Sequence, residues 1–150
     1  MANTYTKLNI HIVFHVKSTS VTIHPEDLIQ VFQYIGGIIN NLGGYPVTVG
    51  GIENHIHILA TMPKTMSMSE FVQKIKSNSS KWIKTIDRYY EGFVWQEGYG
   101  AFCVSPSLLK KTILYIETQA EHHKMESVPI EYKRFLKANN IEFDERYLFD

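Results

Sequence analysis

The sequence predicts an α+β fold of the ferredoxin-like, split βαβ type: an antiparallel sheet with helices on one face, plus a C-terminal tyrosine-bearing helix. Three observations predict this class. Short segments alternate apolar and polar residues, longer segments repeat apolar residues at helical spacing, and together they run strand, helix, strand, strand, helix, strand. The 150 residues suit a single domain spanning 1–150. Many functions share this fold, so the order of elements does not identify the chemistry.

The first half of the chain supplies a strand, a helix and a strand pair. A first strand is predicted over 8–17, where four apolar residues share one face: Ile10, Ile12, Phe14 and Val16. His24-Pro25 marks the start of a helix that Gly43-Gly44 ends. The segment 45–63, "YPVTVGGIENHIHILATMP", predicts two strands joined by a turn near Gly50-Gly51.

The second half of the chain supplies two further helices and a short strand pair. A second helix is predicted from about Ser69 to Tyr89, followed by a strand pair around 98–100. A third helix is predicted from near Ser107 past Gln119, and a short helix lies in the aromatic-rich tail. Four residues of the third helix form the stripe that should face the core: Leu109, Ile113, Ile116 and Ala120.

Composition and charge exclude several classes of protein. Fifteen basic and fifteen acidic residues give a formal net charge of zero, so a nucleic-acid partner would have to be held by local patches. The single cysteine, Cys103, makes no intramolecular disulfide, fits a reducing compartment and is expected in the core. The N-terminus lacks a signal-peptide pattern, and no apolar run approaches the roughly 18–20 residues of a membrane span. These features predict a cytoplasmic protein.

The stretch "ENHIHILA" (53–60) places two histidines one residue apart in an apolar strand. Successive side chains of a strand point to opposite faces, so His55 and His57 share a face. Both imidazoles can therefore turn a nitrogen toward one metal ion, and a third ligand must come from elsewhere. A purely structural histidine pair is the alternative interpretation.

The third helix offers that third ligand. Tyr115, Gln119 and His122 form a stripe about 100° from the core-facing one, which puts Tyr115 at the edge of the packed face. A tyrosine four residues before a glutamine can present a phenol and an amide oxygen to the same point. The alternative is a boundary tyrosine that covers apolar surface, with Gln119 and His122 solvated.

Taken together, the histidine pair and the Tyr-x-x-x-Gln pattern resemble the single-tyrosine HUH transposases of bacterial insertion sequences, small enzymes that move single-stranded DNA. The similarity extends along most of the chain, in five segments: 11–17, 50–63, 71–83, 95–107 and 141–150. One departure is visible. The family often has an acidic residue directly before the first histidine, where this chain has Asn54, with Glu53 one position further back.

The resemblance implies a specific chemistry. A divalent ion, Mg²⁺ or Mn²⁺, would be held by His55, His57 and Gln119, and Tyr115 would attack DNA to give a 5′-phosphotyrosine. The family works as a homodimer, often with the tyrosine helix of one subunit completing the partner's histidine site, so the resemblance implies a homodimer with composite sites. Three alternatives stay open: an HUH replication initiator or relaxase, a non-catalytic ferredoxin-like nucleic-acid-binding module, and a metal-binding or regulatory domain unrelated to DNA.

The second helix carries the candidate DNA-binding residues. They are four lysines and a serine whose donors suit phosphate: Lys74, Lys76, Ser79, Lys81 and Lys84. The alternative is a solvated lysine face. Because the net charge is zero and no duplex-reading helix motif is present, the expected partner is single-stranded DNA that carries a hairpin, with no membrane involved.

Overall fold

A four-stranded antiparallel sheet forms the centre of the computed structural model, which describes residues 3–123 and 126–149. The strands are β1 (Asn9–His15), β2 (Tyr45–Ile52), β3 (His55–Thr61) and β4 (Gly100–Cys103). Their order across the sheet is β2-β3-β1-β4, with every neighbouring pair antiparallel. The two strands that carry the histidines therefore lie at the centre, and the predicted α+β class is confirmed.

Five helices accompany the sheet in the described part of the chain: α1 (Leu28–Asn41), α2 (Met68–Ile83), α3 (Leu109–Glu117), α4 (Gln119–His122) and α5 (Val128–Ala138). The apolar faces of α1 and α2 pack on one side of the sheet, where β1 contributes Ile12 and Phe14 and β3 contributes Ile56 and Ile58. None of the helices formed by residues 3–123 and 126–149 is both long and apolar enough to cross a membrane.

The opposite face of the sheet carries the histidines. His55 lies directly opposite His15 in the β1–β3 ladder, and His57 lies opposite Val13. Helix α5 covers this face and forms a second, smaller core with it, in which Tyr132 and Leu136 pack against Val13. The tail is therefore part of the structure around the histidines.

The β2–β3 turn lies at residues 53–54, three residues later than the predicted turn at Gly50-Gly51. Both glycines belong to β2, and each is required by a close neighbour. A Cβ atom on Gly50 would overlap the carbonyl oxygen of Ile116 in α3 and lie 2.9 Å from its Cγ2. Gly51 has φ +149°, and a Cβ there would overlap the carbonyl of His55.

Helix α2 begins at Met68 and ends at Ile83, so the predicted end at Tyr89 is wrong. The Ser67 hydroxyl caps its start by accepting from the Glu70 N–H, the first half of a capping box. The predicted strand pair around 98–100 is also wrong, since only β4 forms and Trp95 makes a single bridge to Val16.

The helix that bears Tyr115 is interrupted at Thr118, whose φ of −111° and ψ of 29° leave the helical region. The Thr118 hydroxyl donates to the Leu114 carbonyl, an interaction that often bends helices. The interruption turns the residues beyond it, so Gln119 is buried and Ala120 is exposed, contrary to the predicted core-facing stripe. Cys103 is exposed as well, and its predicted place in the core is wrong.

Candidate active site

His55 and His57 are completely buried, and their Nε2 atoms point toward one carboxylate oxygen. Oε1 of Glu131 lies 3.4 Å from Nε2 of His55 and 3.0 Å from Nε2 of His57. The strand alternation that predicted a shared face is therefore what brings the two imidazoles together. The structure adds a carboxylate from α5, a helix more than seventy residues further along the chain.

The other ring nitrogens of the pair are held by neighbours. Nδ1 of His55 lies 3.0 Å from Oδ1 of Asn54, and Nδ1 of His57 lies 2.8 Å from Nε2 of His11. Nδ1 of His55 donates to the Asn54 oxygen, whereas either ring can donate in the contact between His57 and His11. A hydrogen on Nε2 of His57 serves Glu131, and a hydrogen on Nδ1 instead would leave the Nε2 lone pair for a cation. Burial lowers the pKa of His57 to about 4 and that of His11 to about 3, which keeps both rings neutral.

Glu131 is almost completely buried and links the site together. While Oε1 faces the two strand histidines, Oε2 accepts a short hydrogen bond from the Tyr115 hydroxyl and lies 3.1 Å from Nε2 of His123. Burial opposes ionisation, but hydrogen bonds from His55 and His57 outweigh it and hold the pKa of Glu131 well below its ordinary value. Glu131 is thus a buried, ionised carboxylate whose Oε1 contacts the two strand histidines and whose Oε2 contacts Tyr115 and His123.

Tyr115 lies at the edge of the packed face of α3, as predicted, and is half-buried. Its hydroxyl donates to Glu131 and accepts from Nη2 of Arg134 at 3.1 Å. Burial, followed by the hydrogen bond to Glu131, raises the pKa of Tyr115 above that of a free phenol. Arg134 is itself held by both carboxylate oxygens of Glu126, at 3.0 and 3.2 Å. The resting tyrosine is therefore protonated and fixed in position.

Gln119 completes the group of predicted residues. Its Oε1 lies 3.1 Å from Nε2 of His55 and 3.1 Å from Nε2 of His123, and its amide donates to the Tyr115 carbonyl. Tyr115, His55, His57 and Gln119 therefore meet in one place within a single chain. The sequence patterns assign no role to His123, Glu131 or Arg134.

A signal for Glu131 was nevertheless present in the sequence. Apolar residues of α5 recur at helical spacing in Val128, Tyr132 and Phe135, and Glu131 occupies a position in that apolar register. An unpaired carboxylate is not buried at such a position, so a charged or metal-bound partner was to be expected there. Its partner could not be named, because the contact joins residues distant in sequence.

The donor set fits a divalent cation. Ligand atoms of His55, His57 and Glu131 lie within 4.8 Å of one another. Around an ion held at roughly 2.1 Å, adjacent ligands of an octahedron stand about 3 Å apart, close to the 3.0 and 3.4 Å separations here. Two imidazole nitrogens with carboxylate and amide oxygens make a mixed donor set that could hold a divalent cation with open coordination positions.

The predicted DNA-binding lysines lie on the other side of the sheet from the histidines, because α2 packs against the opposite face. Lys81 and Lys84 are exposed, and Lys74 forms an exposed ion pair with Glu70 at 3.3 Å. Such an exposed pair is weak and leaves the amine accessible. Three of the five predicted residues therefore form a basic surface remote from Tyr115.

The other two residues are occupied by internal contacts. The Lys76 amine donates to the carbonyls of residues 96, 97 and 98, and burial lowers its pKa to about 8. Ser79 is completely buried, donates to the Lys76 carbonyl and accepts from the Trp95 indole. Ser79 has no exposed surface to offer a phosphate, and the Lys76 amine is engaged by the carbonyls of residues 96–98.

Comparisons with known proteins add to this geometry. Two solved structures share the fold. A candidate transposase from Deinococcus radiodurans R1 has a TM-score of 0.61 and 18% identity, covering 79% of this chain and 95% of its own. A REP-associated tyrosine transposase bound to a REP hairpin has a TM-score of 0.59 and 12% identity, covering 82% of this chain and 73% of its own.

No curated protein matches significantly. The sequence model of the family described as "Transposase IS200 like" matches residues 4–119, well over half of the chain. The matched range contains both histidines, Tyr115 and Gln119, and it ends before Glu131. The chain therefore belongs to the family of IS200-like transposases, which are DNA-cleaving enzymes.

Proposed function

We propose that this transposase cleaves and rejoins single-stranded DNA in a metal-dependent reaction, with Tyr115 as the nucleophile. One observation carries the proposal: the two oxygens of Glu131 link the Tyr115 hydroxyl to the Nε2 atoms of both strand histidines. A nucleophile and a set of metal-ligating atoms thereby converge on one point. A structural tyrosine would not need that arrangement.

We further propose that His55 and His57 hold the cation through Nε2, with Oε1 of Glu131 and Oε1 of Gln119 as the oxygen ligands. The contacts of the two Nδ1 atoms with Asn54 and His11 support this role, since each allows the ring hydrogen to lie on Nδ1 while Nε2 binds a cation. A divalent cation bound there would stabilise the negative charge that develops on the phosphate during attack.

The residues around Tyr115 support a balanced cleavage step. Oε2 of Glu131 takes the phenol proton as the Tyr115 oxygen forms a bond to phosphorus, and Arg134 stabilises the phenolate as it forms. The bond from phosphorus to the 3′-oxygen breaks, and that oxygen takes up one proton. The step is balanced, because the phenol loses one proton and the leaving oxygen gains one. The products are a 5′-phosphotyrosine and a free 3′-hydroxyl.

Rejoining reverses the same step. A 3′-hydroxyl attacks the phosphotyrosine, loses its proton and forms a new phosphodiester, while Tyr115 regains its hydroxyl hydrogen. The energy of the phosphodiester is retained in the intermediate, so neither ATP nor any redox partner is required. Glu131 serves both directions, as base for one hydroxyl and acid for the other.

For the substrate, we propose single-stranded DNA that carries a hairpin. The exposed amines of Lys74, Lys81 and Lys84 lie across the sheet from Tyr115, so we assign them to phosphates away from the cleaved bond. The fold relationship to a transposase bound to a REP hairpin supports this choice.

We also propose that two copies of the chain form a homodimer. Leu114 and Leu108, both in the segment that carries Tyr115, are 63% and 50% exposed, and an interface would cover them. In the single chain Tyr115 lies beside its own histidines, so partner exchange is not needed to complete a site. Residues 1–150 act as one unit in this proposal, because the tail supplies Glu131.

A cleavage assay tests the proposal. Single-stranded hairpin oligonucleotides are incubated with Mn²⁺ or with a chelator. We expect cleavage by the wild-type chain only with metal, none by His57→Ala or Tyr115→Phe, and wild-type cleavage by the matched control Tyr89→Phe, which alters an exposed tyrosine outside the site. Full cleavage in chelator, or by His57→Ala, would remove the metal from the mechanism. DNA binding without cleavage by the wild-type chain would favour the non-catalytic alternative.

A further inference from the structure

A cleft of about 300 Å³ opens beside the histidine site, between the end of β1 and the start of α5. Its volume is at the lower end of the range for pockets that hold small organic ligands. Asn54 lines the cleft and also contacts Nδ1 of His55, so the cleft and the candidate metal site are adjacent. Val128 and Pro129, just before Glu131 in α5, line the opposite wall.

His15 lines this cleft, and its Nε2 atom is buried with no hydrogen-bond partner among the described residues. The His15 side chain is only 4% exposed, and its ring stacks on that of His55 with 5.4 Å between centroids. A buried polar atom without a partner is costly, which points to a ligand group that pairs with it. None of the steps proposed for Tyr115 uses this atom.

Gln96 fixes what that nitrogen can do. Oε1 of Gln96 accepts the backbone N–H of His15 at 2.8 Å and lies 3.0 Å from its Nδ1. Because Oε1 can only accept, Nδ1 carries the hydrogen, and Nε2 of the neutral ring is left as an acceptor. A residue in the wall of the cleft therefore carries a fixed, buried hydrogen-bond acceptor.

The remaining walls suit a nucleotide. The edge of the His15 ring meets the ring of Phe149 at 4.7 Å, and Phe149 and Pro129 offer apolar surface for a base. Lys17 and the exposed hydroxyls of Ser18 and Thr22 lie at the rim, where they can donate to phosphate.

We propose that this cleft binds one unpaired nucleobase next to the cleaved phosphate, and that His15 selects a base with an exocyclic amino group. Adenine and cytosine present such an amine as a donor, whereas thymine presents a carbonyl oxygen at the equivalent position. A thymine bound in the same orientation would set its O4 against Nε2, and because two facing acceptors repel, we expect His15 to disfavour thymine. The inference rests on the proposed function, since it assigns a specificity to that same site.

The test uses the wild-type chain and hairpin oligonucleotides that vary at single positions around the cleaved bond. We expect one position at which adenine or cytosine is preferred over thymine by about 10- to 100-fold in kcat/KM. Replacing the preferred base by its analogue without the amino group should remove the preference. Indifference to base identity at all flanking positions, or full activity with the analogue, would overturn the proposal.

Two variants connect the preference to His15. His15→Phe keeps an aromatic ring and removes the acceptor, so it should lose the preference at that position alone. The matched control is His24→Phe, which changes a histidine outside the cleft whose ring lies 4.0 Å from that of Tyr89, and this variant should keep the preference. Survival of the preference in His15→Phe would show that another group reads the base.

Failure of the inference is distinguishable from failure of the proposed function. The same oligonucleotides are therefore also compared in binding competition with Tyr115→Phe, which cannot form the covalent intermediate. A base preference in binding would support base selection by the cleft even if the cleavage assay gives no product. Cleavage without any base preference would agree with the proposed function and would overturn the proposal that the cleft selects a base.

Discussion

Replacing Gly50 by alanine should displace the tyrosine helix while leaving the histidine strand in place. The added Cβ would lie 2.9 Å from Cγ2 of Ile116 and overlap the Ile116 carbonyl oxygen. Carbon atoms in contact usually stand about 3.5–4.0 Å apart, so α3 must move by roughly 1 Å. Gly50 itself is held in the β2–β3 ladder opposite His57, so the helix is the part that yields.

A shift of this size has a large expected effect on cleavage. Misplacing a catalytic group by about 1 Å can lower the rate about 100-fold, and overpacking of this kind costs about 1–3 kcal/mol of stability. We therefore expect Gly50→Ala to lose about 100-fold in single-turnover cleavage. Its affinity for Mn²⁺ should fall by only a few-fold, because His55, His57 and Glu131 stay in place and only Gln119 follows α3.

The control for this variant is Gly37→Ala, since a Cβ on this helix glycine meets nothing within 4 Å. Gly37→Ala should cleave normally and gain about 0.5–1 kcal/mol in urea unfolding, as an alanine within a helix does. Normal cleavage by Gly50→Ala, at the stability of the wild-type chain, would refute the close docking of α3 on β2.

Three further predictions concern the carboxylate, the lysines and the assembly. Glu131→Gln should weaken Mn²⁺ binding at least 10- to 100-fold in calorimetry and slow cleavage at saturating metal, because it removes an anionic ligand and the proposed base. Lys81→Gln with Lys84→Gln should reduce the slope of log affinity against log salt by about 2 for a single-stranded hairpin. A mixture of Tyr115→Phe and His57→Ala should stay inactive if each chain uses its own tyrosine, as its cis position indicates.

Each of these predictions has an outcome that contradicts it. Unchanged Mn²⁺ affinity in Glu131→Gln would take the carboxylate out of the metal site, with the exposed Glu142→Gln as control. An unchanged salt slope would show that Lys81 and Lys84 of α2 do not contact DNA phosphates. Lys64→Gln is the control. Cleavage restored in the mixture would show the exchange of tyrosine helices between subunits that the family resemblance suggested.

Local patterns predicted the fold and half of the site. Alternation along β1 and β3 predicted both the strands and the shared face of His55 and His57, because side-chain direction in a strand depends only on position. Helical spacing placed Tyr115 at the edge of α3 for the same reason. These inferences need no knowledge of distant contacts.

The inferences that failed depended on tertiary contacts. The Gly50-Gly51 pair is typical of a turn, yet Gly50 is needed because α3, more than sixty residues later, packs against it. Gly51 is needed because it lies against the His55 carbonyl. Ser79 looked like a phosphate donor, but the rotation of α2 turns it toward Trp95. Glu131 was missed because its partners lie on strands far away in sequence.

The central claim is that Tyr115 forms a covalent bond to the 5′-phosphate of cleaved DNA. The most direct measurement is mass spectrometry of the peptide that carries the DNA adduct after denaturation and proteolysis. We predict a single phosphotyrosine-linked nucleotide on Tyr115, formed with Mn²⁺, absent with chelator and absent in Tyr115→Phe. An adduct on any other tyrosine, or an undiminished adduct in Tyr115→Phe, would contradict the account.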